Sequence, residues 1–222
     1  MTLAELTAQF LGLMNRTDLN STPSLASTFI NQSIMRLQRE LRVPFMEKTI
    51  LYTVPASYDP ARGLAIPSDL LELIDLNVDT NGDGILDYPL QRVQLKEAMR
   101  RSQITDRPMV FARKGGNWII GPTPAVGSNI EIIYYAEFAP LVNSTDTNTI
   151  ANVGWDAVVY GALSAAADYY NDDRAGAFEA RYKQITALLQ EQADADELTS
   201  DAAVRPALQL SGDWTQTDGM VW

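Results

Sequence analysis

The chain of 222 residues is 46% hydrophobic and 20% charged, a composition that suits one large globular domain or two small ones. It contains neither histidine nor cysteine, which excludes a Ser-His-Asp triad, a Cys-His pair, a disulfide and the usual zinc sites. Any catalysis would have to use carboxylates, lysine, tyrosine or a metal bound by oxygen atoms.

The 28 acidic residues outnumber the 17 basic ones, and the excess is uneven along the chain. The net charge is +1 over residues 1–48, −4 over residues 49–150, and −8 over residues 151–222, where four basic residues face twelve acidic ones. A protein that binds duplex DNA normally carries a basic stripe, because neutralised phosphates supply much of the affinity. No such stripe is visible, so tight sequence-specific binding is not expected.

The longest strongly apolar stretch, residues 156–170, is interrupted by Gly161, Ser164 and Asp168. It falls short of the roughly 20 apolar residues that a transmembrane helix needs. The first ten residues carry Glu5 and no basic cluster, unlike a secretion signal. We therefore expect an intracellular protein without a membrane partner.

The first part of the chain has the signals of two helices. Thr2-Leu3-Ala4-Glu5 is a capping box, and apolar residues then keep helical spacing as far as Asn15. A second helix is predicted to begin at Thr22-Pro23, with threonine at the cap and proline at the first helical position. Pro44 is predicted to end it.

Between residues 48 and 135 the pattern changes to short runs rich in β-branched and aromatic residues, bounded by glycine and proline. Gly115-Gly116 supplies the positive φ of a tight hairpin, and the residues from Gln94 to Arg101 are predicted to form a short helix. This pattern indicates a small antiparallel β module. Its predicted strands are residues 49–54, 73–78, 110–113, 118–121 and 129–135.

Helical spacing returns from Trp155, is broken at Asn171-Asp172-Asp173, and continues to about Asp194. Gly161 permits either close helix packing or a close subunit neighbour, and Tyr160, Tyr169, Tyr170 and Tyr182 are predicted to fill the core. The predicted fold class is therefore α+β. It is a four-helix bundle, with two N-terminal and two C-terminal helices, interrupted by the β module and followed by an extended C-terminal tail.

The predicted division places an N-terminal helical hairpin at residues 1–47, the β module at 48–148, a C-terminal helical hairpin at 149–196, and an extended arm at 197–222. The arm is rich in turn-forming residues, yet it ends in large apolar side chains: Trp214, Met220, Val221 and Trp222. Such residues are typical of anchors that become buried on a partner. The alternative is that the arm folds back onto its own domain.

A second local motif matches the first half of a calcium loop. Asp79, Asn81, Asp83 and Asp87 offer oxygen ligands, with a glycine at the sixth position for the sharp turn. Leu90 stands where the bidentate glutamate should be, so the ligand set is incomplete. The alternative is a simple turn between strands, because Asn-Gly and Asp-Gly are strong hairpin signals. The same glycines do not complete a dinucleotide fingerprint, and no other cofactor is predicted.

Two further sets of charged residues have a structural and a functional interpretation. The first set could act as an acid and base pair in a hydrolase but is more typical of helix caps, and consists of Asp172, Asp173, Asp194, Asp196 and Glu197. The second set could form salt bridges with an acidic neighbour or simply be a solvated helix face, and consists of Lys96, Arg100 and Arg101.

The order of these signals resembles the head-to-tail adaptor, or connector, proteins of tailed bacteriophages, the group that includes the tail tubular protein A of short-tailed phages. The likeness covers roughly residues 2–195, and the loop at 79–87 is longer than expected for that group. The residues that carry it are Ile66-Pro67-Ser68-Asp69-Leu70-Leu71-Glu72-Leu73, Arg107-Pro108, Trp118-Ile119-Ile120-Gly121-Pro122-Thr123-Pro124, Ile132-Ile133-Tyr134-Tyr135, Pro140-Leu141, Tyr160-Gly161-Ala162-Leu163, Ala166, Ala167 and Asp172.

The resemblance implies a structural virion protein that is not an enzyme and has no cofactor. Such adaptors form a ring of twelve copies between the portal and the tail nozzle or another proximal tail protein. Genomic DNA passes through the ring without specific binding, and the C-terminal arm reaches the portal. This implies that the protein is made in the host cytoplasm and resides at the portal-tail junction. Portal binding would fall to Trp214, Met220, Val221 and Trp222.

Overall fold

The computed structural model describes residues 1–16, 18–20, 24–80 and 86–201, and the side chains of all of these except residues 20 and 196–201. Within them the α-helices are α1 (Leu3–Met14), α2 (Leu25–Glu40), α3 (Leu95–Arg101), α4 (Thr149–Val153), α5 (Trp155–Tyr169) and α6 (Ala175–Asp201). The strands are β1 (Glu47–Thr53), β2 (Leu64–Ala65), β3 (Leu70–Asp79), β4 (Tyr88–Pro89), β5 (Gln91–Arg92), β6 (Val110–Lys114), β7 (Asn117–Gly121) and β8 (Asn129–Ala136). Single turns of 3₁₀ helix occur at Asp18–Asn20 and Pro44–Met46.

Helices α1, α2, α5 and α6 share one hydrophobic core, in which α5 contacts the other three. Small residues on α5 allow this close approach. A Cβ atom added at Gly161 would overlap the Ser33 hydroxyl oxygen of α2 and would lie 3.0 Å from two carbons of the Tyr182 ring on α6. Gly161 therefore serves close helix packing, one of the two roles that its sequence context left open.

Helix α6 runs parallel to α2 and is tied to its C-terminal part by side-chain contacts. The Arg36 guanidinium donates two hydrogen bonds to the Glu179 carboxylate, at 2.9 and 2.8 Å, and the Tyr182 hydroxyl donates to Glu40 at 2.7 Å. Further along, the backbone N–H of Arg42 donates to the side-chain oxygen of Gln190 at 3.0 Å. The residue numbers of the paired residues increase in the same order on both sides, so the two helices run in the same direction.

The helix ends follow the capping rules, with one correction. The capping box of α1 is present, since the Glu5 backbone N–H donates to the Thr2 hydroxyl at 3.3 Å and the Thr2 N–H donates to Glu5 at 2.9 Å. The N-cap of α2 is Ser24, whose hydroxyl accepts from the Ser27 N–H at 3.3 Å. The predicted start at Thr22-Pro23, which lies outside the described residues, was therefore wrong by two positions, because the chain offers two hydroxyl caps and the second one is used.

The β module consists of two four-stranded sheets that pack against each other. The first sheet has the strand order β1-β8-β3-β4, and the second sheet has the order β2-β7-β6-β5. Their facing side chains form one buried core, to which Leu76 and Ile132 of the first sheet and Phe111 and Trp118 of the second contribute. Alternate residues of a strand point to opposite faces, so each sheet also has an outer face.

Helix α3 covers the outer face of the second sheet. Ala98 of α3 packs on Ala112 and Ile119, which alternate along β6 and β7 with residues that face the first sheet. A Cβ atom added at Gly121 would lie 2.8 Å from the Ala98 carbonyl oxygen, so glycine is required where α3 crosses β7. The β module therefore has three layers: the first sheet, the second sheet, and α3.

The α+β class is confirmed, and the predicted strands and the short helix lie within one to three residues of their predicted ends. The expectation of a purely antiparallel module was wrong, because β5 and β6 pair in parallel. A parallel pair needs a crossover connection, and α3 provides it. Helix α6 continues to Asp201, past its predicted end at Asp194. The arrangement of the helices as a four-helix bundle, and the predicted division of the chain, stay predictions.

None of the helices in the described part of the chain combines the length and the apolar character that crossing a bilayer requires.

Candidate functional site

The calcium-like motif lies at the connection between β3 and β4. Asp79, at the end of β3, is buried, and its carboxylate accepts a hydrogen bond from the Asn129 side chain at 3.3 Å. The Asp87 carboxylate accepts from the Thr80 backbone N–H at 2.8 Å and from the Thr80 hydroxyl. These hydrogen bonds from Thr80 lower the pKa of Asp87. Asp87 thus closes the base of the loop.

The other positions of this motif add little to a metal site. Asn81 and Asp83 lie outside the described residues, and Leu90, at the twelfth position, is buried in the core between the sheets. Among the described residues, no three acidic side chains are grouped so that they could share a metal ion. The contacts of Asp87 favour a hairpin connection, and calcium binding at this loop stays a prediction.

Two of the carboxylates considered for acid and base catalysis, Asp172 and Asp194, are engaged in structural contacts. Arg174 donates to Asp172 at 2.7 Å and lowers the pKa of that carboxyl to about 2. The same guanidinium also donates to the carbonyl oxygens of Leu13 and Met14, at the C-terminal end of α1, where a positive charge is favourable. Asp194 accepts from Gln190 at 2.7 Å. The side chains of residues 196 and 197 are outside the described part.

The ion pair of Arg36 on α2 with Glu179 on α6 also has a structural role. Arg36 lowers the pKa of Glu179 to about 2, and its guanidinium lies 4.1 Å from the centroid of the Tyr182 ring. A cavity of about 470 Å³ borders this pair. A glycosidase-like mechanism needs one carboxyl with a raised pKa, and the pKa values of Asp172 and Glu179 move in the opposite direction.

The four tyrosines predicted to fill the core have different surroundings. Tyr182 is fully buried, as predicted, and burial raises the pKa of its hydroxyl. Tyr160 is half-buried against Phe178. Tyr169, at the end of α5, is 65% exposed, so the prediction was wrong for this residue. Tyr169 is the last residue of α5, and the rings of Phe29 and Tyr170 contact only part of its ring, at centroid distances of 5.9 and 4.8 Å.

The predicted portal anchors Trp214, Met220, Val221 and Trp222 lie outside the described residues. Their role stays a prediction. The described chain ends at Asp201, the last residue of α6.

The β module carries charge of opposite sign on its two sheets. The strands of the first sheet contain five acidic residues and one basic residue. The strands of the second sheet and α3 contain six basic residues and one acidic residue. Of the basic set predicted on α3, Arg101 donates to Glu97 at 2.7 Å, while Lys96 and Arg100 are exposed. The acidic side was missed at the sequence level because its residues come from three separate strands.

These features are typical of a protein that works through contacts. Several of the described carboxylates serve as caps or in ion pairs, and the most distinctive surfaces of the described chain are the two charged sides of the β module. A family model described as SU10 adaptor protein matches residues 1–207. The chain belongs to this family of bacteriophage adaptor proteins. A search of curated proteins finds no sequence that matches the chain.

The family confirms the resemblance to a phage adaptor that the order of motifs indicated. It implies a structural role in the virion and interaction with portal and tail proteins. The narrower likeness to the tail tubular protein A group is not confirmed.

Proposed function

We propose that this adaptor forms a ring of twelve copies between the portal and the tail, and that the ring encloses part of the channel through which the genome passes. The observation that carries the proposal is the match of the adaptor family model to residues 1–207, nearly the whole chain. The twelvefold count and the position at the portal-tail junction come from the resemblance to connector proteins and are part of the proposal.

The charge of the chain supports a passage for DNA. Residues 151–222 carry twelve acidic and four basic residues, and this part includes α5 and α6. An acidic wall repels phosphates and offers the duplex no cationic contacts that would slow its passage. We propose that genomic DNA slides past this part of the ring without specific binding.

The C-terminal arm is proposed to hold the portal through Trp214, Met220, Val221 and Trp222. The arm follows α6, whose backbone extends to Asp201. Before that point α6 is fixed to the rest of the subunit, since Ala193 is buried and Gln190 hydrogen bonds with Arg42 in both directions. A firmly held helix is a suitable base for an arm whose large apolar side chains become buried on a partner.

The test is electron microscopy of the protein mixed with the portal of the same phage. We expect a closed ring of adaptors docked on one end of the portal, with its axis along the channel. A portal that stays bare at saturating adaptor concentration would contradict the proposal. Binding of duplex DNA by the isolated protein at physiological salt would contradict the acidic channel.

A further inference from the structure

One end of the outer face of the first sheet, around Tyr135, packs against the helical core, and the rest of this face carries acidic and apolar side chains. Side chains alternate along its strands, so that Ile50, Ile130 and Ile132 point into the core while their neighbours point outward. The outward residues include Glu47, Asp75 and Glu131, and the register places them on β1, β3 and β8 of the same face. Leu51 and Ile133 lie among them, and Leu51 is 59% exposed.

The outward side of α3 has the complementary character. Lys96 and Arg100 are exposed, one turn apart, on the side of the helix that faces away from the second sheet. Leu95 and Met99 lie beside them and are 37% and 41% exposed. Two pairs of adjacent residues, 95–96 and 99–100, thus place two cations and two apolar side chains on one side of the helix, and Ala98 holds the opposite side of α3 against the sheet.

The acidic face and the basic side of α3 cannot form ion pairs with each other within one subunit. They lie on opposite sides of the three-layered module, and no ion pair among the described residues joins them. Stacked sheets are about 10 Å apart and α3 adds a further layer, so the separation exceeds the roughly 8–10 Å over which salt screens charges. Their attraction becomes effective only when two subunits meet.

The edge strands of the two sheets differ in length. Strands β2, β4 and β5, each at a sheet edge, have only two residues, which protects these edges from pairing. The remaining edge strand, β1, has seven residues, and within the described chain no backbone hydrogen bond joins its outer edge to another segment. A subunit docked over Leu51 would shield this edge.

We propose that α3 of one copy docks on the outer face of the first sheet of the next copy. Lys96 and Arg100 meet Glu47, Asp75 and Glu131, while Leu95 and Met99 pack against Leu51. The two surfaces are different and lie on opposite sides of the subunit, so the contact is head-to-tail and can be repeated around a closed ring. The inference rests on the proposed ring and adds the interface that builds it.

The absence of cysteine from the chain allows a direct test by disulfide mapping. A variant with Leu51→Cys and Met99→Cys is bound to the portal and oxidised. We expect a ladder of dimers, trimers and higher species on a non-reducing gel, because residue 51 of one copy meets residue 99 of the next. The control pairs Met99→Cys with Leu188→Cys, which is 57% exposed on α6, and should give no ladder.

Charge reversal provides the second measurement. Lys96→Glu with Arg100→Glu, and separately Glu47→Lys with Glu131→Lys, should each raise the adaptor concentration needed for assembly at least about 100-fold, because like charges then face each other. Mixing the two variants should restore assembly, since each then meets a complementary partner. Arg39→Glu with Arg181→Glu, two exposed positions on α2 and α6, makes the same change of charge elsewhere and should assemble normally.

The outcomes distinguish a wrong interface from a wrong proposed function. If rings form on the portal but the ladder is absent and both reversed variants assemble, the interface is wrong and the proposed function stands. If the protein gives the ladder in concentrated solution but never binds the portal, the interface stands and the proposed function is wrong. If neither the ladder nor portal binding is seen, both are overturned.

Discussion

At the scale of single residues, Gly161 is the position where the helical core has least room. An added methyl group would overlap the Ser33 hydroxyl oxygen and press on the Tyr182 ring. We expect Gly161→Ala to reduce the free energy of unfolding by about 1–3 kcal/mol, as overpacked cores do, and to lower the Tm by several degrees. Thermal denaturation followed by circular dichroism measures this.

The matched control for Gly161 is Gly12, a glycine inside α1 with no atom within 4 Å of an added Cβ. Gly12→Ala should raise the free energy of unfolding by about 0.5–1 kcal/mol, because alanine loses less backbone entropy in a helix. If both variants shift the Tm in the same direction, contact at Gly161 is not what limits the packing of α5.

The contact between Glu179 and Arg36 makes stability depend on pH. The pKa of Glu179 is lowered to about 2 in the folded protein, so its contribution is complete above its ordinary pKa of 4.5 and is lost as the pH falls toward 2. We expect Glu179→Gln to cost about 1.5–3 kcal/mol at pH 7, and the difference from the parent to shrink below pH 4.

Urea denaturation at pH 7 and pH 3 measures this difference. Glu191→Gln, which changes an exposed carboxylate of the same helix, is the control and should have little effect at either pH. A Glu179→Gln cost that stays constant from pH 7 to pH 3 would show that the loss arises from packing and not from the charge.

At the scale of elements, the start of α2 distinguishes two possible caps. The Ser24 hydroxyl accepts the Ser27 N–H, so Ser24→Ala should reduce the free energy of unfolding by about 1 kcal/mol. Thr22→Ala should change it by only a few tenths. The reverse order, measured by urea denaturation, would place the cap at the position that helix signals alone favoured.

The β module shows which elements can be predicted from sequence and which cannot. β1 and β8 have enough β-branched and aromatic residues to be predicted close to their observed ends, while β3, with fewer, was predicted to start three residues late. β2, β4 and β5 have two residues each, too few to show any periodicity. These three edge strands, and the parallel pairing of β5 with β6, were therefore not predicted. The division into two sheets was also missed, because alternation gives the face of a strand but not its neighbour.

At the scale of the whole molecule, the arm should be separable from the fold. Deleting residues 206–222 should abolish binding to the portal, because it removes all four predicted anchors, while circular dichroism and the Tm remain those of the parent. Co-sedimentation with the portal measures the binding. Trp214→Ala with Trp222→Ala, at full length, is the finer control, and unchanged binding by either variant would assign the contact to another surface.

Only one of the two charged surfaces of the β module could be predicted from the sequence. The cations of α3 were visible because residues 96 and 100 are one helical turn apart in the sequence. The acidic face was not visible, because Glu47, Asp75 and Glu131 are far apart in the chain and are brought together only by the strand order. The family resemblance depended on the order of short motifs, which says nothing about either face.

The parallel direction of α2 and α6 has a mechanical consequence. A pull on the C-terminal end of α6, such as a portal held by the arm would exert under the pressure of a packaged genome, acts along the helix axis. The contacts between Arg36 and Glu179, Tyr182 and Glu40, and Arg42 and Gln190 would then be loaded together in shear. They would not be opened one after another, as in a peeling geometry. If the arm holds the portal as proposed, α6 would therefore resist such a pull through all three contacts at once.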